Sequence, residues 1–206
     1  MTIEQLELTQ WLSPAFPLGS FAYSHGLETA MSDGTITTAE ELQDWLGFLI
    51  AAGSGWNDAV LLCAAQRGED VAALARALAS CAERWEETEA QGAAFARTLR
   101  AMGHDIADAP LPVAVGIATR AFTLPPATIA ALYLQAFASN LVQCAVRFVP
   151  LGQSDGQRVL AALGPEIIAT ADRAAQATLD DLGSAAFFSD LVAMRHESQE
   201  ARIFKS

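Results

Sequence analysis

The sequence predicts an all-α fold, a single-domain helical bundle of roughly ten helices with a flexible C-terminal tail. Three observations predict it. No run alternates apolar and polar residues with β-branched enrichment, so no sheet is expected. Helix-start signals recur along the chain, each followed by apolar residues at helical spacing. Residues 127–146 carry no formal charge over about 20 positions, or roughly 30 Å of helix. That length equals a membrane span, so the polar residues have to decide its nature. Gln135, Ser139, Gln143 and Arg147 fall four apart, with Asn140 beside them, and form one seam. Ile129, Leu132, Leu134, Phe137, Leu141, Val142 and Val146 fill the other faces. A helix apolar over most of its circumference with one polar seam is the central helix of a soluble bundle, and no membrane is expected.

Taken in order, Thr2 and Gln5 make a capping box that opens a helix carrying Ile3, Leu6, Trp11 and Leu12. Two prolines and a glycine in Ser13–Gly19 end it. Ser20 is placed to cap a helix over FAYSHGLETAM, with Gly34 at its exit. Thr38 and Glu41 form a second capping box before the stripe Leu42, Trp45, Leu46 and Leu49. Ser54 or Asn57 starts the next helix, which Gly68 closes. Asp70 is expected to cap a long segment with Leu74, Leu78, Cys81 and Trp85 on one face. It runs on to Met102, with an interruption at Gly92 the weak point. Gly103–Pro112 reads as a surface loop, and Val113–Phe122 as a short apolar helix. Pro126 suits the first turn of the central helix, where its missing N–H costs nothing. Pro150, Gly152 and Gly156 break that helix. Further helices are expected near Gln157–Leu163, Glu166–Leu182 and Ala186–His196.

With 206 residues the chain is long enough for one sizeable core and short for two domains. The division expected is a helical body over 1–196 and a tail over 197–206. Its composition, 52% hydrophobic and 17% charged, excludes general disorder and leaves apolar surface for an oligomer or partner interface. A net charge of −12 argues against nucleic acid, which needs a basic face. Residues 1–66 hold eight acids and no Lys or Arg. That front half either steers a basic partner or simply keeps the surface solvated. No secretory signal is visible. Cys63, Cys81 and Cys144 lack paired spacing and read as small buried hydrophobes in a reducing compartment, so a cytoplasmic location is expected.

No constellation supports catalysis. His25, His104 and His196 stand in unrelated segments, without the spacing of a built-in metal site, and neither metal nor cofactor is expected. The nucleophile elbow is missing. Gly152–Gly156 lacks the Lys-Ser/Thr of a phosphate loop and reads as a turn. Trp85–Glu89 clusters carboxylates that read as a solvated helix face. What remains is recognition. The Ser13–Glu28 segment displays Phe21 and Tyr23 beside a rigid proline loop, and Tyr23 is either an interface anchor or a core residue with its hydroxyl satisfied. Arg202, Ile203, Phe204, Lys205 and Ser206 form a basic, amphipathic end that either orders on a partner or stays frayed.

Four segments carry a family resemblance: SPAFPLGSFAYSHGLE at 13–28, PVAVGIATRAFTLP at 112–125, YLQAFASNLVQCAVRFVPLGQSDGQRVLAAL at 133–163 and MRHESQEARIFKS at 194–206. Together, in this order and over the full length, the chain resembles the urease accessory protein UreF family. Ser20, where glycine is often found, and Glu200-Ala201, where a tyrosine-containing run is common, depart from the family pattern. The resemblance implies an all-helical, cytoplasmic, dimeric and non-enzymatic protein that acts in maturation of the nickel enzyme urease. It implies binding to UreD (also called UreH), to the GTPase UreG and to the apo-urease complex, with assistance to nickel insertion. It also makes Tyr23 and residues 202–206 partner-binding candidates. Two alternatives stand beside it. One is a regulator of nucleotide hydrolysis by UreG, with Arg120, Arg147 or Arg158 offered to the GTPase site. The other is a generic helical adaptor.

Overall fold

The computed structural model describes residues 2–205, and among them there are helices and connecting turns but no strands. Helix α1 (Ile3–Trp11) starts on the predicted capping box: the Thr2 hydroxyl accepts from Gln5 N at 3.2 Å while the Gln5 side chain accepts from Thr2 N at 2.9 Å. Only Leu8 and Trp11 of α1 are buried. Ile3 and Leu6 face outward, leaving one side of the helix apolar and exposed. The region expected to be one helix from Phe21 onward is instead a single 3-10 turn at Ser20–Ala22, an extended Tyr23, and α2 (Leu27–Ser32). The break has a backbone cause. His25 and Gly26 sit at φ 61° and 76°, left-handed conformations that cannot lie inside an α-helix.

Helix α3 (Ala39–Ala52) keeps the Thr38–Glu41 capping box and buries Leu42, Leu46, Leu49 and Ile50. Helix α4 (Ser54–Gln66) is buried along most of its length. The long segment expected from Asp70 is two helices, α5 (Ala72–Ala77) and α6 (Ala82–Ala101), separated at residues 78–81. Asp70 caps nothing, because the position before α5 is Val71, without a side-chain bond. Gly92 does not interrupt α6. It is there because the loop crosses α6 at that point, and a Cβ on Gly92 would lie 1.9 Å from the Ala109 carbonyl oxygen. Helix α7 (Leu111–Ala118) follows, packed most closely on α4.

Helix α8 (Pro126–Phe148) is the predicted central helix, with Pro126 in its first turn. It touches α1, α2, α3, α4, α9 (Gln153–Ala162) and α10 (Gly164–Gln176). The stretches Ala39–Gln66 and Pro126–Phe148 are both long and apolar enough to cross a membrane. Of their most apolar windows, 72% and 50% are buried against other helices, the burial of bundle-core helices. The Gly152–Gly156 turn proves to be the start of α9, where the Asp155 carboxylate accepts from Gly152 N at 3.2 Å. A second 3-10 turn at Leu179–Asp181 leads into α11 (Phe187–His196), which packs on α2 and α6. One main core runs through the bundle, and a smaller cluster of Leu61, Ala64, Ala65, Val71, Ala75 and Val113 lies under α5. Cys63 and Cys144 are buried and Cys81 is half-buried, all as free thiols. Burial pushes the thiols of Cys63 and Cys144 up to about 11, so neither is a reactive thiolate at neutral pH.

Candidate partner-binding site

The approach of α11 to α2 builds the site. A Cβ on Gly26 would meet the Ala193 Cα at 2.7 Å, so glycine is required there twice over, for its φ and for the closeness of the helices. Ahead of α2 the Ser24 hydroxyl accepts from Glu28 N in the first turn of the helix at 3.2 Å. With α2 and α11 in contact, the His196 ring reaches two carboxylates. Its Nε2 lies 3.3 Å from Glu28 Oε2 and its Nδ1 lies 2.7 Å from Glu83 Oε2 at the start of α6. Both His196 and Glu28 are buried. Three helices are thereby joined through one imidazole.

The C-terminal segment, expected to be flexible, lies along this junction. Ile203 N and Phe204 N donate to the two oxygens of Glu28 at 2.7 and 2.9 Å. The Arg202 guanidinium pairs with Glu83, and Lys205 N donates to the Ala22 carbonyl at 2.6 Å. Earlier in the segment, Glu197 accepts from Glu83 N and the Thr29 hydroxyl donates to Gln199. The Phe204 ring is buried under the Arg147 guanidinium, 4.9 Å from its centroid. A buried aromatic and six bonds thus join the described part of this end to the body. Ser206 lies outside the described residues.

Tyr23 belongs to the same surface. The successive carbonyls of Phe21, Ala22 and Tyr23 accept from four donors. Arg147 Nη2 reaches Phe21 O at 3.0 Å, Lys205 N reaches Ala22 O, and Asn140 Nδ2 and Cys144 Sγ each reach Tyr23 O at 3.3 Å. The polar seam of α8 thus holds the Tyr23 strip, and the strip holds the tail. The Lys205 ammonium stands 5.9 Å over the Tyr23 ring. Burial, then the Glu86 carboxylate, push the Tyr23 hydroxyl above its usual range. Between Tyr23 and α6 runs a groove lined by Glu83, Glu86 and Glu89, with Lys205 at its edge. So the structure brings Tyr23 and residues 202–205 together, from opposite ends of the chain.

The interior behind this surface is polar, which sequence reasoning missed. Glu87, expected on a solvated face, is buried and paired with Arg84. It also accepts from Gln91 at 3.2 Å. Asp58 accepts from the Tyr133 hydroxyl at 2.8 Å, and burial pushes its carboxyl up to about 6 against the pull of Arg84. His25 lies 2.6 Å from the Ser54 hydroxyl, with Nδ1 3.8 Å from Glu87, and its ring meets Phe137 edge-on. Burial, then the nearby Arg84 charge, hold His25 well below the usual imidazole range. His104 packs its ring against Trp11 at 5.3 Å. Among the described residues no three His, Cys, Asp or Glu side chains converge as metal ligands. The arginines offered for a GTPase site divide clearly. Arg120 is tied to the Ala65 carbonyl and Arg147 to Phe21 and Phe204, while Arg158 projects from α9 with only Asp155 beside it.

A family model for UreF matches residues 36–164. A urease accessory protein UreF of Cereibacter sphaeroides is 56% identical to this chain over the full length of both. One of Mesorhizobium japonicum is 46% identical over the whole of this chain and 97% of its own, and a UreF 1 of Brucella canis is 47% identical over the whole of this chain and 95% of its own. The family model leaves Tyr23 and the tail outside its match, whereas the three relatives align over the whole chain; on both grounds the chain belongs to the UreF family of urease accessory proteins.

Proposed function

We propose that this protein is a non-enzymatic scaffold of urease maturation, cytoplasmic and homodimeric, that binds UreD/UreH through the surface formed by Tyr23 and the tail at 197–206. In the same complex it positions UreG, so that nickel released by that GTPase is delivered to apo-urease. The observation that carries this reading is the convergence of Tyr23 with Arg202–Lys205, two segments far apart in sequence and held together by hydrogen bonds. A recognition surface needs a few pre-ordered aromatic and basic side chains over a buried anchor. Lys205 projects beside Tyr23 and Ile203 is exposed, with Phe204 as the buried anchor between them in sequence. The groove of Glu83, Glu86 and Glu89 adds an acidic stripe that suits a basic segment of the partner.

The experiment is urease activation by nickel in a reconstituted mixture from which this one component is withheld. The expected result is apo-urease that stays inactive, with activity restored by adding the protein back. Full activation without it would sink the proposal. Regulation of UreG is the second reading, and the exposed Arg158 side chain, paired only within its own helix to Asp155, is the observation that favours it. Measuring GTP hydrolysis by UreG with and without the protein separates the two. A scaffold leaves the rate unchanged, whereas a regulator with Arg158 in the site loses its effect in Arg158→Ala.

A further inference from the structure

We propose that Asp58 is a proton switch of the polar interior: ionised, it holds Arg84 in the wall between two cavities, and neutral, it leaves Arg84 to Glu87. The inference goes beyond the scaffold reading and does not depend on it. Two cavities, of about 80 and 60 Å³, meet at the first turns of α6, where Asp58, Arg84 and Thr88 line both. The larger continues between α6 and α8 to Gln91, Ser139 and Asn140. The smaller extends to Ser54, Asn57, Ser184 and Asp190. Each has room for water, which needs about 10–15 Å³ and polar partners, and each supplies such partners. Asp58 is only half-buried because it faces these two spaces, so a proton can reach it.

Three helices meet on this carboxylate. Asp58 of α4 accepts from the Tyr133 hydroxyl of α8 at 2.8 Å, and Arg84 of α6, itself 9% exposed, pairs with Glu87 and stands in the field of Asp58. The other ionisable groups packed around the site are accounted for. His25 is held neutral by burial and by Arg84, while burial pushes the Cys81 thiol and, strongly, the Tyr133 hydroxyl upward. Asp190 of α11 accepts from Ser184, and Arg173 of α10 lies over the Trp56 ring instead, at 4.4 Å. Glu87 is paired with a guanidinium, which favours its charged form. Asp58 is the carboxyl pushed toward neutrality, up to about 6. With a proton bound, its C=O still accepts from Tyr133, but a charge-assisted bond becomes an ordinary one of roughly half the strength. Arg84 then keeps Glu87 as its partner and no longer has a charge to face across the cavities.

Carbon-13 NMR of the aspartate side-chain carboxyls across pH tests the switch, with the Asp58 resonance assigned as the one missing from Asp58→Asn. Its expected midpoint is about pH 6. The Arg84 Nε–H signal should shift with the same midpoint. In Asp58→Asn, a neutral side chain of the same shape, that signal should stay at its acid-limit position at every pH. An Asp58 midpoint near the ordinary 3.8 overturns the proposal, and so does an Arg84 shift that persists in Asp58→Asn. His25→Asn should leave the Arg84 transition in place, and its disappearance there would assign the switch to the imidazole instead. Should Asp58→Asn not fold, Tyr133→Phe removes the bond that favours the ionised carboxyl, so the Arg84 midpoint should move upward. A midpoint that stays in place or falls in Tyr133→Phe overturns the switch.

Discussion

His25 shows at the scale of one residue how the polar interior behind Tyr23 responds to its surroundings. Its neighbours are the Ser54 hydroxyl, the face of Phe137 and the Arg84–Glu87 pair. Burial first and Arg84 second disfavour the imidazolium, so the folded chain refuses a proton that the unfolded chain accepts near 6.5. The sign follows. This contribution to stability is complete above about pH 6.5 and is lost as the pH falls below it. His25→Asn keeps a residue that tolerates the left-handed φ of 61° and removes the titration. Urea unfolding at about pH 7 and about pH 5 should show a smaller acid loss in the variant than in the wild type. An equally steep loss in both would show that His25 is not the group responsible. None of this was legible in the sequence, where His25 stood alone. Its partners come from α4 and α6, at positions no local spacing connects.

Helix-scale behaviour turns on where backbones meet. Gly116 of α7 lies against α4 so closely that a Cβ would sit 2.3 Å from the Leu62 carbonyl oxygen. Gly116→Ala should therefore destabilise the protein by about 1–3 kcal/mol in chemical denaturation, the range of overpacked cores. Gly47 offers the contrast: within α3, its added Cβ would meet only the Leu163 side chain at an ordinary 3.7 Å. Gly47→Ala should stabilise by about 0.5–1 kcal/mol, since alanine loses less entropy in a helix. Opposite signs for the pair are the expected outcome. Equal effects would contradict the packing described for α7 on α4. Capping boxes at Thr2 and Thr38 and the proline at Pro126 were readable because they act within one turn of chain. The breaks at Tyr23–Gly26 and residues 78–81 were not. At the first, the left-handed turn at His25 and Gly26 is set by the close approach of Ala193 from a distant helix.

For the molecule as a whole, the central fact is that the C-terminal segment meets the Phe21–Thr29 stretch. The first 66 residues carry eight acids and no Lys or Arg, and two of the last five described residues are basic. Glu28 and Glu83 draw the basic end back onto the body. Tyr23 and the tail were each singled out in the sequence by residue type and by family resemblance. Their contact was not, because it depends on the crossing of α2, α6 and α11. One side of α1 is apolar and exposed, with Ile3 and Leu6 on it. If the proposed homodimer forms through that side, Leu6→Asp should yield a monomer by sedimentation, and an unchanged dimer would place the interface elsewhere. The claim that the joined segments form the partner surface is tested most directly by deleting residues 202–206 and measuring co-purification with UreD/UreH beside helix content. The account predicts that binding is lost while helix content is unchanged, and retained binding by the shortened chain would contradict it.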